Sequence, residues 1–307
     1  MSIPTISVII PVFNVEKYIK RCLDSLLRQT FKDFEVVVVN DATPDQSMLV
    51  VKEFSEKWEH VTIVEHKKNM GLMWTRMSGY QMARGRYFVF LDSDDWIPDD
   101  ALKILFETIK KTNADVVCGA YTVVDDDGPI RAMYGRLSYG NTPEFVYKSM
   151  LKNEFPHNVW GKIFNADLFR THKYDTYENF TNGEDALLFY QVLKYAKYVV
   201  SIPQSVYFYY RNAESSTNVK LSNRAIESIV ILNFYRTQIK KMYPTLSNDF
   251  DAKISSVLID LKYATGQGRL ISNLEKKFKL NYYVKISTIL KSHSSLNALK
   301  LLIKKIL

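Results

Sequence analysis

Cysteine is scarce in this chain: Cys22 and Cys118 are the only two in 307 residues. They build no disulfide framework and no metal-ligand motif, which removes small stapled folds and zinc modules from consideration. His66, His157, His172 and His293 share no ligand spacing either. Glycine stands at 11 positions, yet no Gly-x-Gly-x-x-Gly follows the first apolar run, where Pro11 and Phe13 stand instead. No Gly-x-x-x-x-Gly-Lys-Ser/Thr occurs anywhere. Hydride-transfer dinucleotide enzymes and P-loop nucleotidases therefore lose their support. The chain has no run of ~18 consecutive apolar residues, so no segment is expected to cross a bilayer unaided. Met1-Ser2-Ile3-Pro4 lacks the basic and apolar regions of a signal peptide, and the expected location is the cytoplasm. Helix-turn-helix, RNP and zinc signatures are absent as well, so nucleic acid is not an expected partner.

What is present suits a large α/β core with an appendage, at 47% hydrophobic and 24% charged residues. Apolar, β-branched runs at Ile6 to Ile10, Phe34 to Val39, Val61 to Glu65, Tyr87 to Leu91 and Asp115 to Tyr121 predict five strands. Between them, periodic apolar residues predict helices over Val15 to Gln29, with Asn14 as its cap, and over Met48 to Trp58, Leu72 to Ala83 and Leu102 to Lys111. Alternation of this kind, with right-handed crossovers, gives one mostly parallel sheet.

Polar clusters sit where these strands end. Pro11 to Asn14 follows the first run, Asn40 to Thr43 the second, and Asp92-Ser93-Asp94-Asp95 the fourth. Open parallel sheets bind ligands outside the strand carboxyl ends, and clustered carboxylates repel one another unless a cation holds them. A Mg²⁺ or Mn²⁺ site that neutralises a phosphate-bearing substrate is the functional reading. The alternative is a solvated acidic turn or helix start, since Pro98, Asp99 and Asp100 follow. Glu184-Asp185 likewise reads either as a catalytic carboxylate pair or as the acidic first turn of a helix over Ala186 to Tyr195.

Several segments carry a resemblance. Ser7 to Asn14 with Glu16 and Tyr18, Ser25 to Glu35, and then Asn69-Met70-Gly71-Leu72, Arg76, Gly85, Asp92 to Asp95, Trp160-Gly161-Lys162 and Asn182-Gly183-Glu184-Asp185 stand in the order seen in family 2 glycosyltransferases. With Tyr207 to Arg211, Ser215 and Ser216, the likeness covers roughly residues 4 to 218. It implies the GT-A fold, a Rossmann-like, mostly parallel sheet, over residues 1–218, and leaves 219–307 as a helical extension. It also implies inverting, metal-dependent transfer from a nucleotide sugar, read as a UDP-sugar, to a glycan or lipid-linked hydroxyl in bacterial surface-polysaccharide synthesis.

Carried over residue by residue, the resemblance assigns Pro11, Phe13, Asn14 and Asp41 to the nucleobase side and Arg76 to the base or diphosphate. Asp92 and Ser93 fall to the donor, Asp94 to the metal, with Asp95 sharing it, and Asp185 to general base. Trp160, Lys162, Glu184 and Arg211 are candidates for acceptor or phosphate contacts, against core packing for Trp160 and surface cover for Lys162. Asn40, Ala42 and Met77 depart from the family's usual aspartate, glycine and asparagine. Two other classes stay open, a nucleotidyltransferase and a catalytically idle nucleotide-sugar-binding subunit. The first would carry a basic Gly-rich loop after its first strand, and the second has no need of both acidic motifs.

Charge is uneven along the chain. From residue 219 onward 16 Lys and Arg face 5 Asp and Glu, whereas 25 face 28 before it. Helices are expected near Asn223 to Met242 and Asp249 to Thr265. In the closing segment Leu296, Leu299, Ile303 and Ile306 share one helical side and Asn297, Lys300 and Lys304 another. Such a helix suits the anionic inner face of the cytoplasmic membrane. Docking on the catalytic domain or self-association are the alternatives.

Overall fold

The computed structural model describes residues 3–133, 140–176, 183–211, 236 and 238–265. Two compact units divide the chain, one of Met1–Val146 with Glu154–Asn212, the other of Tyr147–Asn153 with Ala213–Leu307. In the second unit the described structure includes a 3-10 turn at Pro244–Leu246 and a helix at Ser247–Thr265, with Arg236 ion-paired to Asp251 at 2.6 Å. The expected closing segment, Leu296 to Leu307, lies outside the described residues, as does most of the helix expected over Asn223 to Met242.

The first unit is built on an eight-stranded sheet. Its strands are β1 (Ile6–Val12), β2 (Phe34–Asn40), β3 (Val61–Glu65), β4 (Tyr87–Phe90), β5 (Val116–Asp125), β6 (Gly128–Met133), β7 (Lys162–Asn165) and β8 (Val199–Tyr210). Across the sheet the order is β3-β2-β1-β4-β7-β5-β6, with β8 paired to β5. The first five strands and β8 run one way; β7 and β6 oppose them. β1 is buried along its whole length and β2 along all but Asn40, as their unbroken apolar runs require when both faces are covered.

Helices α1 (Ile19–Leu27), α2 (Ser47–Lys57) and α4 (Ala101–Thr112) share a core with Val8, Ile10, Val36 and Val38. Helix α3 (Leu72–Met82) takes the other face, where Gly79 allows it close. A Cβ there would stand 2.4 Å from Ile9 Cγ2. At the strand amino ends, buried Glu35 accepts from the Ser7 hydroxyl and from Arg84, fastening β1, β2 and the α3–β4 turn together.

The chain reverses direction at β1: β2 and β3 build outward on one side and β4 returns on the other. Pairing of β1 with β4 ends at Ile9 and Phe90. Pro11, which has no N–H to donate, lies beyond that point. Their parting leaves the crevice where an open α/β sheet binds ligands.

Candidate active site

Asp92 to Asp95 form a tight turn off β4, closed by the Asp95 N–H donating to the Asp92 carbonyl at 3.1 Å. Three residues from elsewhere brace it. The Tyr207 hydroxyl donates to Asp95 Oδ2 at 2.7 Å and lies 3.2 Å from the Asp92 N–H, and the Tyr210 N–H donates to Asp95 Oδ1 at 2.7 Å. From α1, Arg21 donates to the Asp94 carbonyl at 3.0 Å while its guanidinium lies between the Trp96 and Tyr210 rings, 3.8 and 4.2 Å from their centroids. Arg21 is not singled out in the sequence, and Tyr207 is named there only within its motif, not as a partner of Asp95; no local pattern marks a side chain whose partner is some 70 or 110 residues away.

The brace divides the acidic cluster. Asp95, expected to share the metal, is 1% exposed and accepts one bond on each oxygen, from Tyr207 and Tyr210. Ser93 is buried in the turn. Asp92 and Asp94 keep partly exposed carboxylates. Burial first, and the Asp92 charge second, push Asp94 up to about 6. Among the described residues no group of three or more His, Cys, Asp or Glu is placed to hold a metal. Even so, two close carboxylates, one with its ionised form disfavoured, are hard oxygen ligands that fit Mg²⁺ or Mn²⁺ completed by a substrate's phosphates.

Arg76 lies at the centre of the site. It is 1% exposed on α3, with Nη2 donating to Asp92 Oδ1 at 2.7 Å and Nη1 standing 2.6 Å from Asp185 Oδ1 and 3.6 Å from Glu184 Oε1. Burial opposes its charge, but Asp185, Asp92 and Glu184 outweigh that and hold it protonated more firmly than an ordinary arginine. Asp185 and Glu184 open α5 (Glu184–Leu193), which starts two residues earlier than its apolar pattern predicts. Gly183, at φ 89°, turns the chain into the helix in a left-handed conformation that suits glycine. Burial pushes the Asp185 carboxyl up, and Arg76 draws it partly back.

The loops after β1 and β2 are tied together by hydrogen bonds. The N–H groups of Asn14, Val15 and Glu16 donate to Thr43 Oγ1, Ser47 Oγ and Asp45 Oδ2 at 2.8, 3.2 and 2.8 Å. Asn14 itself adopts φ 55° and does not cap α1, which begins at Ile19 behind Tyr18. Burial raises the Asp45 carboxyl, but bonds from Thr43, Ser47 and Glu16 outweigh it and leave Asp45 below its ordinary value. Asp41 is 3% exposed and accepts from the Met70 and Gly71 N–H groups at 2.8 and 2.9 Å. Beside it Pro11 is buried, and Phe13 presents a ring that is 43% exposed.

Other expected contacts fall elsewhere. Trp160 stacks on Tyr207 and Tyr209, with centroids 4.5 and 5.4 Å away, and belongs to the core. Lys162 is 1% exposed, donates to the Asn158 carbonyl at 2.6 Å and packs over Phe189 and Phe155. It does not lie on a surface where it could cover apolar area or meet a phosphate. Arg211 is exposed, and its backbone N–H donates to the Val124 carbonyl.

The family model for glycosyl transferase family 2 matches residues 7–177. Glycosyltransferase GlyA of Streptococcus pneumoniae is 35% identical over 213 residues, 66% of this chain and 30% of its own length. The chain thus spans under a third of that relative. In fold, it is similar to residues 1–349 of S. aureus TarS in complex with UDP-GlcNAc, with TM-score 0.65, 20% identity and coverage of 89% of this chain and 88% of that one. The mannosyltransferase PcManGT from Pyrobaculum calidifontis in complex with GDP-Man and Mn²⁺ aligns with TM-score 0.60 and 16% identity, over 100% of this chain and 80% of that one. A match over more than half its length, on the sheet that carries the Asp92 and Arg76 cluster, makes this chain a member of glycosyl transferase family 2.

Proposed function

We propose that the chain is a divalent-metal-dependent, inverting glycosyltransferase. It moves a sugar from a nucleotide sugar, read as a UDP-sugar, to a hydroxyl of a glycan or lipid-linked acceptor in bacterial surface-polysaccharide synthesis. The observation that carries this reading is the meeting of Asp92, from the end of β4, and Asp185, from the start of α5, on one buried guanidinium. A donor-side and an acceptor-side carboxylate are thereby held in one cluster beside the sheet's crevice. The complexes of TarS with UDP-GlcNAc and of PcManGT with GDP-Man and Mn²⁺ support a nucleotide-sugar donor and a metal.

In this reading Phe13, Pro11 and Asp41 receive the nucleobase, Asn14 borders it, and Asp92 and the Ser93 turn meet the donor's ribose. Asp185 takes the proton from the acceptor hydroxyl as its oxygen attacks the anomeric carbon. The bond from that carbon to the diphosphate breaks on the opposite side, so the configuration inverts. A carboxyl raised by burial is a stronger base than a solvated one and remains usable above its pKa. A cation held by Asp94, with Asp92 beside it, supplies positive charge for the departing diphosphate when bound. Arg76 adds a fixed positive charge to the same cluster.

Residues 219–307 are read as the part that brings the enzyme to an anionic membrane surface bearing its acceptor. No helix among the described residues is long and apolar enough to cross a membrane. The test of the whole reading is a panel of sugar nucleotides screened for Mn²⁺- or Mg²⁺-dependent hydrolysis and transfer. Turnover of one UDP-sugar with release of UDP supports it, and cleavage of a nucleoside triphosphate with release of pyrophosphate overturns it.

A further inference from the structure

His66 connects two elements at the nucleobase end of the site. It follows β3, and its Nδ1 lies 2.7 Å from Asp41 Oδ1 while its Nε2 lies 2.8 Å from Ser78 Oγ on α3. Asp41 already accepts a backbone N–H on each oxygen, so it acts as an acceptor and the imidazole Nδ1 must carry the hydrogen between them. In the neutral ring Nε2 then accepts from the Ser78 hydroxyl, which fixes the tautomer and the plane of the ring.

The count of acceptor positions on Asp41 gives this a consequence. Oδ1 takes both the Met70 N–H and His66, and is full. Among the described residues Oδ2 takes only the Gly71 N–H, at 2.9 Å, and keeps one lone pair. The carboxylate cannot rotate to change this without breaking three bonds in a site that is 3% exposed.

We infer that His66 is a specificity-determining positioning residue. By filling Oδ1 and fixing the carboxylate, it leaves a single acceptor position that favours a nucleobase with a ring N–H, as in uracil or guanine. Cytosine and adenine present a ring nitrogen acceptor at the equivalent edge, and two facing acceptors repel. The inference rests on the proposed reading of Asp41 as the nucleobase carboxylate.

Calorimetry with UDP, GDP and CDP, each with Mn²⁺, tests both levels. An asparagine amide can stand near the position of imidazole Nδ1, and a glutamine amide near that of Nε2. His66→Asn should hold its preferred nucleotide within about twofold of wild type, while His66→Gln should lose about tenfold, the scale of one charge-assisted bond. CDP binding should barely change in either, so discrimination narrows only in His66→Gln, and Ser78→Ala should narrow it part of the way. A purely structural role would weaken UDP, GDP and CDP alike, with equal losses of thermal stability in both His66 variants, and would overturn the inference. If Asp41→Asn abolishes the preference but neither His66 variant alters it, His66 alone is wrongly assigned. If wild type does not prefer UDP or GDP over CDP, or Asp41→Asn keeps the preference, the reading of Asp41 falls and this inference falls with it.

Discussion

Arg76 Nη1 and Asp185 Oδ1 stand 2.6 Å apart, and the arginine is 1% exposed. An isolated charge so deeply buried is expensive, and here carboxylates from two separate elements offset it. The same pairing holds the Asp185 carboxylate in place, and in the proposed role its burial makes it a stronger base. Asp185→Asn should therefore leave donor affinity near wild type and cut transfer by ~100-fold or more, the usual contribution of a positioned base. Equal losses in binding and turnover would move Asp185 out of the proton-transfer role.

A pH profile checks the same assignment independently. In the proposed role Asp185 acts in its ionised form, and burial raises its pKa in the folded protein. Transfer should thus rise with pH along an acid limb lying above the ordinary carboxylate range near 4. That limb should disappear in Asp185→Asn. A limb at the ordinary value would mean that acceptor binding resolvates the group or that another residue accepts the proton.

At the other acidic cluster, Asp94 and Asp95 should behave differently despite being neighbours. Asp94→Ala should remove the Mn²⁺ dependence of nucleoside diphosphate binding and leave the protein folded. Tyr207→Phe, which deprives Asp95 of a hydroxyl donor, should instead lower stability by about 1–3 kcal/mol. Calorimetry with and without Mn²⁺, beside denaturant unfolding, separates the two effects. An unaltered metal dependence in Asp94→Ala contradicts the assignment.

Much of the first unit is legible in the sequence because its strands are apolar, β-branched runs separated by periodic helices. β3 is observed at the predicted Val61–Glu65, and α3 begins at the predicted Leu72. β7 escapes such reading: it has four residues, and it inserts antiparallel between β4 and β5, whose own segments are both earlier in the chain. α1 starts four residues late because the N–H groups of Asn14, Val15 and Glu16 are satisfied by the β2–α2 loop, an option invisible without the tertiary fold. The carboxylates were readable from strand-end position and motif order. Arg21, Tyr207 and His66 were not, since their meaning comes from distant partners. Trp160 and Lys162 show the converse, residue types that suit a binding site but fill a core.

Ala42 offers a test of local strain. It adopts φ 55°, where a Cβ is disfavoured, at the position where the family usually has glycine. The left-handed conformation costs a non-glycine residue about 1–2 kcal/mol, while glycine's greater freedom in the unfolded chain offsets part of the gain. Ala42→Gly should raise unfolding stability by about 1 kcal/mol or slightly less. A loss of stability would show that the methyl group makes contacts worth more than the strain.

Lys162 decides whether its buried position or the family motif is the better guide. Its Nζ donates to the Asn158 carbonyl at 2.6 Å and lies 4.9 Å from the Phe189 ring centroid. Burial lowers its pKa from 10.5 to about 8, although Cys118 and Asp185 act in the opposite direction. Between those two values the unfolded chain binds more protons than the folded one, so this group should make stability rise as pH increases from about 8 to 10.5. Lys162→Met keeps similar volume against the two phenylalanine rings, removes the buried charge and should abolish that rise. Near pH 7 the lost bond to Asn158 and the relieved desolvation oppose each other, so net stability should change by no more than about 1–2 kcal/mol. Donor affinity should stay within about twofold, because a side chain this deep is not the phosphate contact that its motif suggests. A tenfold loss of UDP affinity in a folded Lys162→Met protein would instead require the lysine to swing out when the donor binds.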